Sequence, residues 1–454
     1  MEPAQKSNFK KFTQGYTFKV LMLVFLVLLL LIPLAMIRGL INERDHTART
    51  AEAEIMEAWG SKLIEAGPVI AIPGIRTEEV RTKTERDGEK VEIIKRPFTL
   101  IIAPQKLEIG AVLKTEVRRR GIFSVPLFSG ELALSGNFIP ASALSALQPN
   151  EAVSLDQAEL IIMLSSQKGI RKINRATWDS RELFFQPGNR GQSIASFEYS
   201  ALHSGIYATL PDFQNRESSF DINIAIQGGQ LVRFLPMGQD THAAVSTDWA
   251  SPSFQGSFLP GSSTITDSGF DAVWDISYLS RDIPLFWKTE GDNGNFSDSL
   301  FGVNFFRAID TYSLNTRAVK YAILFVIVPF LTLFLLEVFT QKRIHPVPYL
   351  LSGIANVIFY LLLLSLSEQM RFHLAYLFAG LAVMVTMTLY SRSLLPSWNK
   401  AGYMGLVVLL SYILLYAVLN AESYALLIGS IGAFVVVALV MYLTRRLNWY
   451  GADE

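Results

Sequence analysis

Cysteine is absent from all 454 residues, which excludes disulfides, thiolate nucleophiles and thiolate metal sites. Histidine is scarce: His46, His203, His242, His345 and His373 are scattered, and no two share a zinc-type spacing. No metal and no cofactor are therefore expected. Also missing are G-x-S-x-G, G-x-x-x-x-G-K-[ST] and G-x-G-x-x-G. Ser165-Ser166-Gln167-Lys168 matches the S-x-x-K of penicillin-interacting enzymes, but neither S-D-N nor K-T-G follows, and Ser165 closes a strand-like run instead of opening a helix. The stretch Asp292 to Asp298 lacks the ligand order and closing Glu of a calcium loop, so it reads as a polar turn. With no constellation left standing, no enzyme is expected. A periplasmic hydrolase would have to rest on Ser165 and Lys168.

An excess of either charge is missing from the whole chain, with 40 Lys plus Arg against 40 Asp plus Glu. The balance conceals a split. Residues 39–319 hold 27 Lys plus Arg against 34 Asp plus Glu, a net of −7, and the remainder carries +7. An acidic soluble region lacks the basic footprint that phosphates require, so nucleic acid is not an expected partner.

Charge is almost wholly absent from five long runs: 321–340, 349–367, 372–391, 402–421 and 423–444. Each is close to the ~20 apolar residues that a helix needs to cross the hydrocarbon core. Four of the five hold no Asp, Glu, Lys or Arg, and the first holds only Glu337. A sixth run, Val20 to Ile37, follows Lys6, Lys10, Lys11 and Lys19; it exceeds a signal peptide's apolar core and no A-x-A cleavage site follows, so residues 20–38 read as an uncleaved signal-anchor. Short cytoplasmic segments retain Lys and Arg. Placing residues 1–19 inside puts Lys342, Arg343, Arg392, Lys400, Arg445 and Arg446 inside too. Both termini (1–19 and 445–454) are then cytoplasmic and residues 39–319 lie on the far side, the periplasm of a bacterium.

Within that insert, Ile55, Met56, Trp59, Leu63 and Ile64 recur at helical spacing, predicting an amphipathic helix over 42–66. Strands follow. Residues 76–96, with Asp87-Gly88 at the middle, read as a solvated hairpin, and Phe220 to Gln227 with Gly228-Gly229 and Leu231 to Phe234 as a second one. Phe270, Ala272, Trp274, Ile276 and Tyr278 alternate with Asp271, Asp275 and Ser277, and 97–102, 131–138 and 158–164 are further strand candidates. The expected fold is a signal-anchor helix, a large antiparallel β-rich domain over 39–319, and five transmembrane helices over 320–444.

The polar positions of the helix block are the remaining candidates, because ionisable groups in lipid are costly. Glu337 near Lys342 reads as an interface-paired carboxylate, and Asn356 as an inter-helix hydrogen-bonding group. Ala425, Gly429 and Ala433 form a small-residue ridge for helix packing, within the chain or in a homo-oligomer. A transporter or flippase would need Glu337 and Asn356 as its polar elements.

Arg317 to Leu324, then Glu337 with Gln341 to Pro346, which contains His345, then Tyr349 to Gly353 and Phe359 to Glu368, resemble the CreD family of bacterial inner-membrane proteins. Gly67 to Pro73, Ser253 to Pro260 and Leu443 to Tyr450 extend the resemblance over almost the whole chain. It implies an inner-membrane protein tied to cell-envelope integrity, produced under a sensor-kinase and response-regulator pair, with no assigned catalytic residue. The expected function is envelope integrity or envelope-stress response through a β-rich periplasmic interaction domain, with the lipid bilayer and an envelope protein as partners. Glu337, His345, Asn356 and Glu368 are the candidate functional polar positions.

Overall fold

The computed structural model describes residues 16–84, 88–188, 202, 204–289, 296–305, 311–340, 342–395, 397–421 and 424–445. In chain order the elements are α1 (Tyr16–Trp59), β1 (Leu63–Thr84), β2 (Gly88–Ile102), β3 (Lys106–Arg120), β4 (Phe123–Phe138), α2 (Ala141–Ser145), β5 (Glu151–Val153), β6 (Glu159–Leu164), β7 (Ile170–Trp178), β8 (Arg181–Glu182) and β9 (Gln186–Pro187). Then come β10 (Ser204–Thr209), β11 (Ser218–Gly229), β12 (Leu231–Leu235), β13 (Asp240–Thr247), β14 (Pro252–Gly256), β15 (Ser262–Thr266), β16 (Gly269–Ser277), β17 (Phe286–Lys288) and β18 (Phe301–Phe305). The chain closes with α3 (Thr311–Lys320), α4 (Ala322–Thr340), α5 (Pro346–Gln369), α6 (Phe372–Leu394), α7 (Trp398–Asn420) and α8 (Ala425–Thr444). Two compact units result, one of Met1–Ala48 with Ile309–Glu454 and the other of Arg49–Ala308.

The second unit is two packed sheets. One runs β14-β18-β12-β1-β6-β10-β9, with β2 and β5 also paired to β1 and β17 to β2; the other runs β15-β16-β13-β3-β4-β11-β7-β8. The ladders are antiparallel except β1 with β12 and β3 with β13. Period-2 alternation explains the inner faces. In β16, Phe270, Ala272, Trp274 and Ile276 are buried while Asp271 and Asp275 are exposed. Tyr278, expected on the same face, falls beyond the strand in a short 3-10 turn. The two inner faces meet through aromatic pairs: Phe128 and Phe305 lie 5.2 Å apart, Trp274 and Phe301 5.5 Å. Such pairs add about 0.5–1.5 kcal/mol beyond their area.

Two expectations fail here. The helix predicted over 42–66 stops at Trp59, and Leu63 and Ile64 open β1 instead. Gly60, at φ 133°, ends it: a Cβ there would sit 2.8 Å from the Gln227 carbonyl, so the chain turns only with glycine. Leu63 and Ile64 satisfied helical spacing by accident, because strand β1 buries both its faces. The second failure is the hairpin at Gly228-Gly229. β11 lies in one sheet between β4 and β7, whereas β12 lies in the other between β1 and β18. The two glycines serve close packing: Cβ atoms would meet Phe128 Cζ at 2.6 Å and Leu127 Cδ2 at 2.8 Å. The nearly continuous apolar run Leu231 to Leu235 is what a strand covered on both faces requires. The first hairpin does form, β1 pairing with β2 from Ile70–Ile102 to Thr84–Gly88, although Asp87 itself lies outside the described residues. The stretch 290–295, including Asp292, also lies outside them.

The first unit contains long apolar helices. Among the described residues, six helices are long and apolar enough to cross a membrane: α1 and α4 to α8. α1 is continuous over 44 residues with Pro33 inside it. Around a shared core, Phe359 stacks on Tyr412 at 4.4 Å and 24°, and Phe330 meets Tyr349 edge-on. α8 has no buried residue, and the half-buried stripe it does have includes Ala425, Gly429 and Ala433.

Candidate functional site

Three of the four polar candidates of the helix block, Glu337, Asn356 and Glu368, each hold two or more helices together. Glu337, on α4, is 6% exposed, and Lys19 of α1 makes an ion pair with it. Tyr349 Oη of α5 donates to Glu337 Oε2 at 2.8 Å, and Lys19 Nζ donates to the Ile344 carbonyl at 3.1 Å. The partner is thus Lys19 and not the expected Lys342, whose Nζ donates to the Leu394 carbonyl at 2.9 Å. Glu337 and Lys342 are five positions apart, more than a helical turn, and α4 ends between them.

Glu368, near the end of α5, forms a second pair. Arg44 of α1 donates Nε to Oε1 at 2.7 Å and Nη2 to Oε2 at 2.8 Å, the parallel fork that guanidinium and carboxylate favour. Tyr312 Oη of α3 adds a bond to Oε1 at 3.0 Å. Beside it, Asn315 Nδ2 donates to Ser367 Oγ at 2.9 Å. Lys19 and Arg44 are 25 positions apart on one helix, about 37 Å at 1.5 Å per residue. That span matches a bilayer, whose hydrocarbon core is ~30 Å and which reaches ~40–45 Å with its headgroups. α1 is therefore clasped by an ion pair at either end of its apolar stretch.

Asn356 lies between these ends. Its Nδ2 donates to the Phe325 carbonyl of α4, and Tyr412 Oη of α7 donates to its Oδ1 at 2.9 Å. Three helices meet at one amide. His345 stands apart: it is exposed and caps α5, its Nδ1 accepting from Val347 N at 3.4 Å. Sequence reasoning did not single out Lys19, Arg44, Tyr312, Tyr349 or Tyr412. Lys19, which borders the first apolar run, was the available signal, since a charge at a membrane interface calls for a partner; the cation bordering the far end is Arg38, and nothing local pointed to Arg44.

In the β-rich unit, Ser165 Oγ accepts from Ile64 N at 2.9 Å and donates to the Lys62 carbonyl at 2.5 Å, while Lys168 Nζ donates to the Glu57 carbonyl at 3.3 Å. Both groups pin backbone, and neither is bonded to the other. Among the described residues no three His, Asp or Glu side chains converge as a metal site. Two buried carboxyls differ sharply. Glu65 has no exposure and neither oxygen has a partner, and burial pushes its carboxyl well above the usual range. Burial acts on Glu151 in the same direction, but Gln148 N at 2.9 Å, Lys288 Nζ at 2.5 Å and Arg76 Nη2 at 2.9 Å outweigh it and hold the carboxyl at about 2.

Folding therefore gains stability from ionised Glu151 above the ordinary 4.5, and that gain disappears as pH falls toward 2. Glu151→Gln is expected to cost ~2–3 kcal/mol at pH 7, below the range for a fully buried pair because Arg76 and Lys288 are each 24% exposed. Denaturant unfolding at pH 7 and pH 3 checks this: the gap between variant and native protein should narrow at the lower pH.

The sequence pattern of inner membrane protein CreD matches residues 15–450. The chain belongs to the CreD family. Inner membrane protein CreD of Escherichia coli (strain K12) is 31% identical over 427 residues, 93% of this chain and 91% of that protein. The family is one of membrane proteins, in keeping with the six apolar helices. Two solved structures show weaker likeness. A protein of Parabacteroides distasonis described as a candidate protease has a TM-score of 0.25 at 10% identity, covering 68% of this chain and 58% of that one. A candidate nutrient binding protein of Legionella pneumophila has a TM-score of 0.22 at 7% identity, covering 49% and 74%. Neither likeness bears on the fold or function of this family member.

Proposed function

We propose that this chain is a non-catalytic inner-membrane protein that supports cell-envelope integrity, its β-rich domain engaging an envelope component on the periplasmic side. The observation that carries this reading is α1: an ion pair fixes it at both ends of its apolar stretch, and it runs unbroken to Trp59, four residues before β1. The acidic, strand-rich region lies in the chain between the first apolar run and the other five, so it is tied to the membrane at both of its ends and binding there can load the membrane part. The polar side chains that a transport path would need, Glu337 and Asn356, are occupied in holding helices together. The positive charges of the short segments favour cytoplasmic termini.

Because the chain has no cysteine, one introduced thiol reports its own location. Leu279 in the β-rich unit is 80% exposed and Trp398 at the start of α7 is 60% exposed. In cells with a permeabilised outer membrane, a membrane-impermeant maleimide is expected to label Leu279→Cys at once. Trp398→Cys should react only after the inner membrane is broken. The opposite pattern would overturn the orientation.

A further inference from the structure

A cleft of about 620 Å³ opens in the β-rich unit between the last turns of α1 and the adjoining sheet. Register accounts for its floor: Ile64 lies beside Arg233, and Leu231 beside Asn304, all on one face of the β1, β12 and β18 ladder. Met56 and Ala53 of α1 form the apolar wall opposite, and Glu57, Ser61, Lys62 and Ser165 complete the lining. Two polar atoms here are buried without a partner, Arg233 Nε and Asn304 Oδ1, although both residues are tied to Gln255 Oε1, at 3.3 and 2.8 Å. Lys62 is exposed, and among the described residues its ammonium has no hydrogen bond or ion pair. Ser165 is spent on backbone.

Two cations against one carboxylate leave these walls with one positive charge, in a region whose net charge is −7. An orphaned guanidinium donor is costly to leave unmatched, more so because the group is charged. We propose that this cleft takes an acidic amphiphile, a phosphate or carboxylate head held by Arg233 and Lys62 with a short apolar chain against Met56, Ile64 and Leu231. The proposal deepens the interaction role assigned above by naming a ligand class. Binding to purified protein does not depend on orientation, so its failure leaves the topology reading standing, and a failed topology leaves binding standing.

The test is calorimetric titration of the full chain in nanodiscs of uncharged lipid with octyl phosphate below its micellar concentration, empty nanodiscs giving the partitioning background. Saturable binding at one site is expected, weakened at least tenfold in Arg233→Gln and in Lys62→Gln. The second is a surface change that leaves folding intact. Octanol and inorganic phosphate separate the two halves of the ligand, and each should bind at least tenfold more weakly than octyl phosphate. Heat no greater than that of empty nanodiscs, undiminished binding to Lys62→Gln, or inorganic phosphate binding as tightly as octyl phosphate would each overturn the proposal.

Discussion

Glu65→Val is expected to stabilise the β-rich unit by ~2–4 kcal/mol near neutral pH, the gain seen when a poorly compensated buried charge gives way to an apolar side chain of similar volume. Glu65 sits in β1 between Phe234 of β12 and Leu164 of β6, on the inward face of the sheet, with no exposure and no hydrogen bond. Valine fills nearly the same volume and suits a strand. The sign of the pH dependence follows from linkage. A carboxyl raised by burial binds its proton more tightly in the folded state, so stability is fully present below the ordinary 4.5 and falls as pH climbs through the raised folded value. The loss within that window is ~1.4 kcal/mol per pH unit. Unfolding followed by fluorescence of Trp178 and Trp274, both buried in the same core, reads the difference. Native protein should weaken relative to Glu65→Val as pH rises above 4.5, and the variant's advantage should shrink as pH falls back toward that value. A destabilised Glu65→Val would show that the carboxyl has a compensating role in the fold.

What could be read from sequence divides along the range of the interactions. The spans were legible because the absence of charge over twenty residues is a local property, and α4 to α8 fall within a few residues of the runs that announce them. The alternation in β16 was legible for the same reason. Gly228-Gly229 misled because a glycine pair fits a tight turn and a close packing contact equally well. Only the positions of Phe128 and Leu127, a hundred residues away, decide between them. Glu65 falls inside the helix predicted over 42–66, since nothing near it reveals that three strands will enclose it. The candidate carboxylates Glu337 and Glu368 stood out by composition, but their partners lie 318 and 324 residues earlier.

Breaking the clasp at Glu337 should cost more than breaking the one at Glu368, because burial sets the size of the penalty. Lys19 and Glu337 side chains are 16% and 7% exposed, against 37% and 11% for Arg44 and Glu368. Glu337→Gln leaves a largely buried ammonium facing an amide and should lower stability by ~3 kcal/mol, while Glu368→Gln, whose arginine reaches solvent, should lose ~1–2 kcal/mol. Lys19→Met removes the stranded charge. Added to Glu337→Gln, which still accepts from Tyr349, it should restore most of the loss, giving a coupling of ~2 kcal/mol in a double-mutant cycle. Unfolding in mixed micelles measures all four corners. A coupling near zero would mean that the pair does not hold α1 to the bundle. Normal stability in Glu337→Gln together with lost envelope function would instead give the carboxylate the role that a transport mechanism requires. Stability and function falling together, and recovering together in the double variant, is the result expected of a clasp.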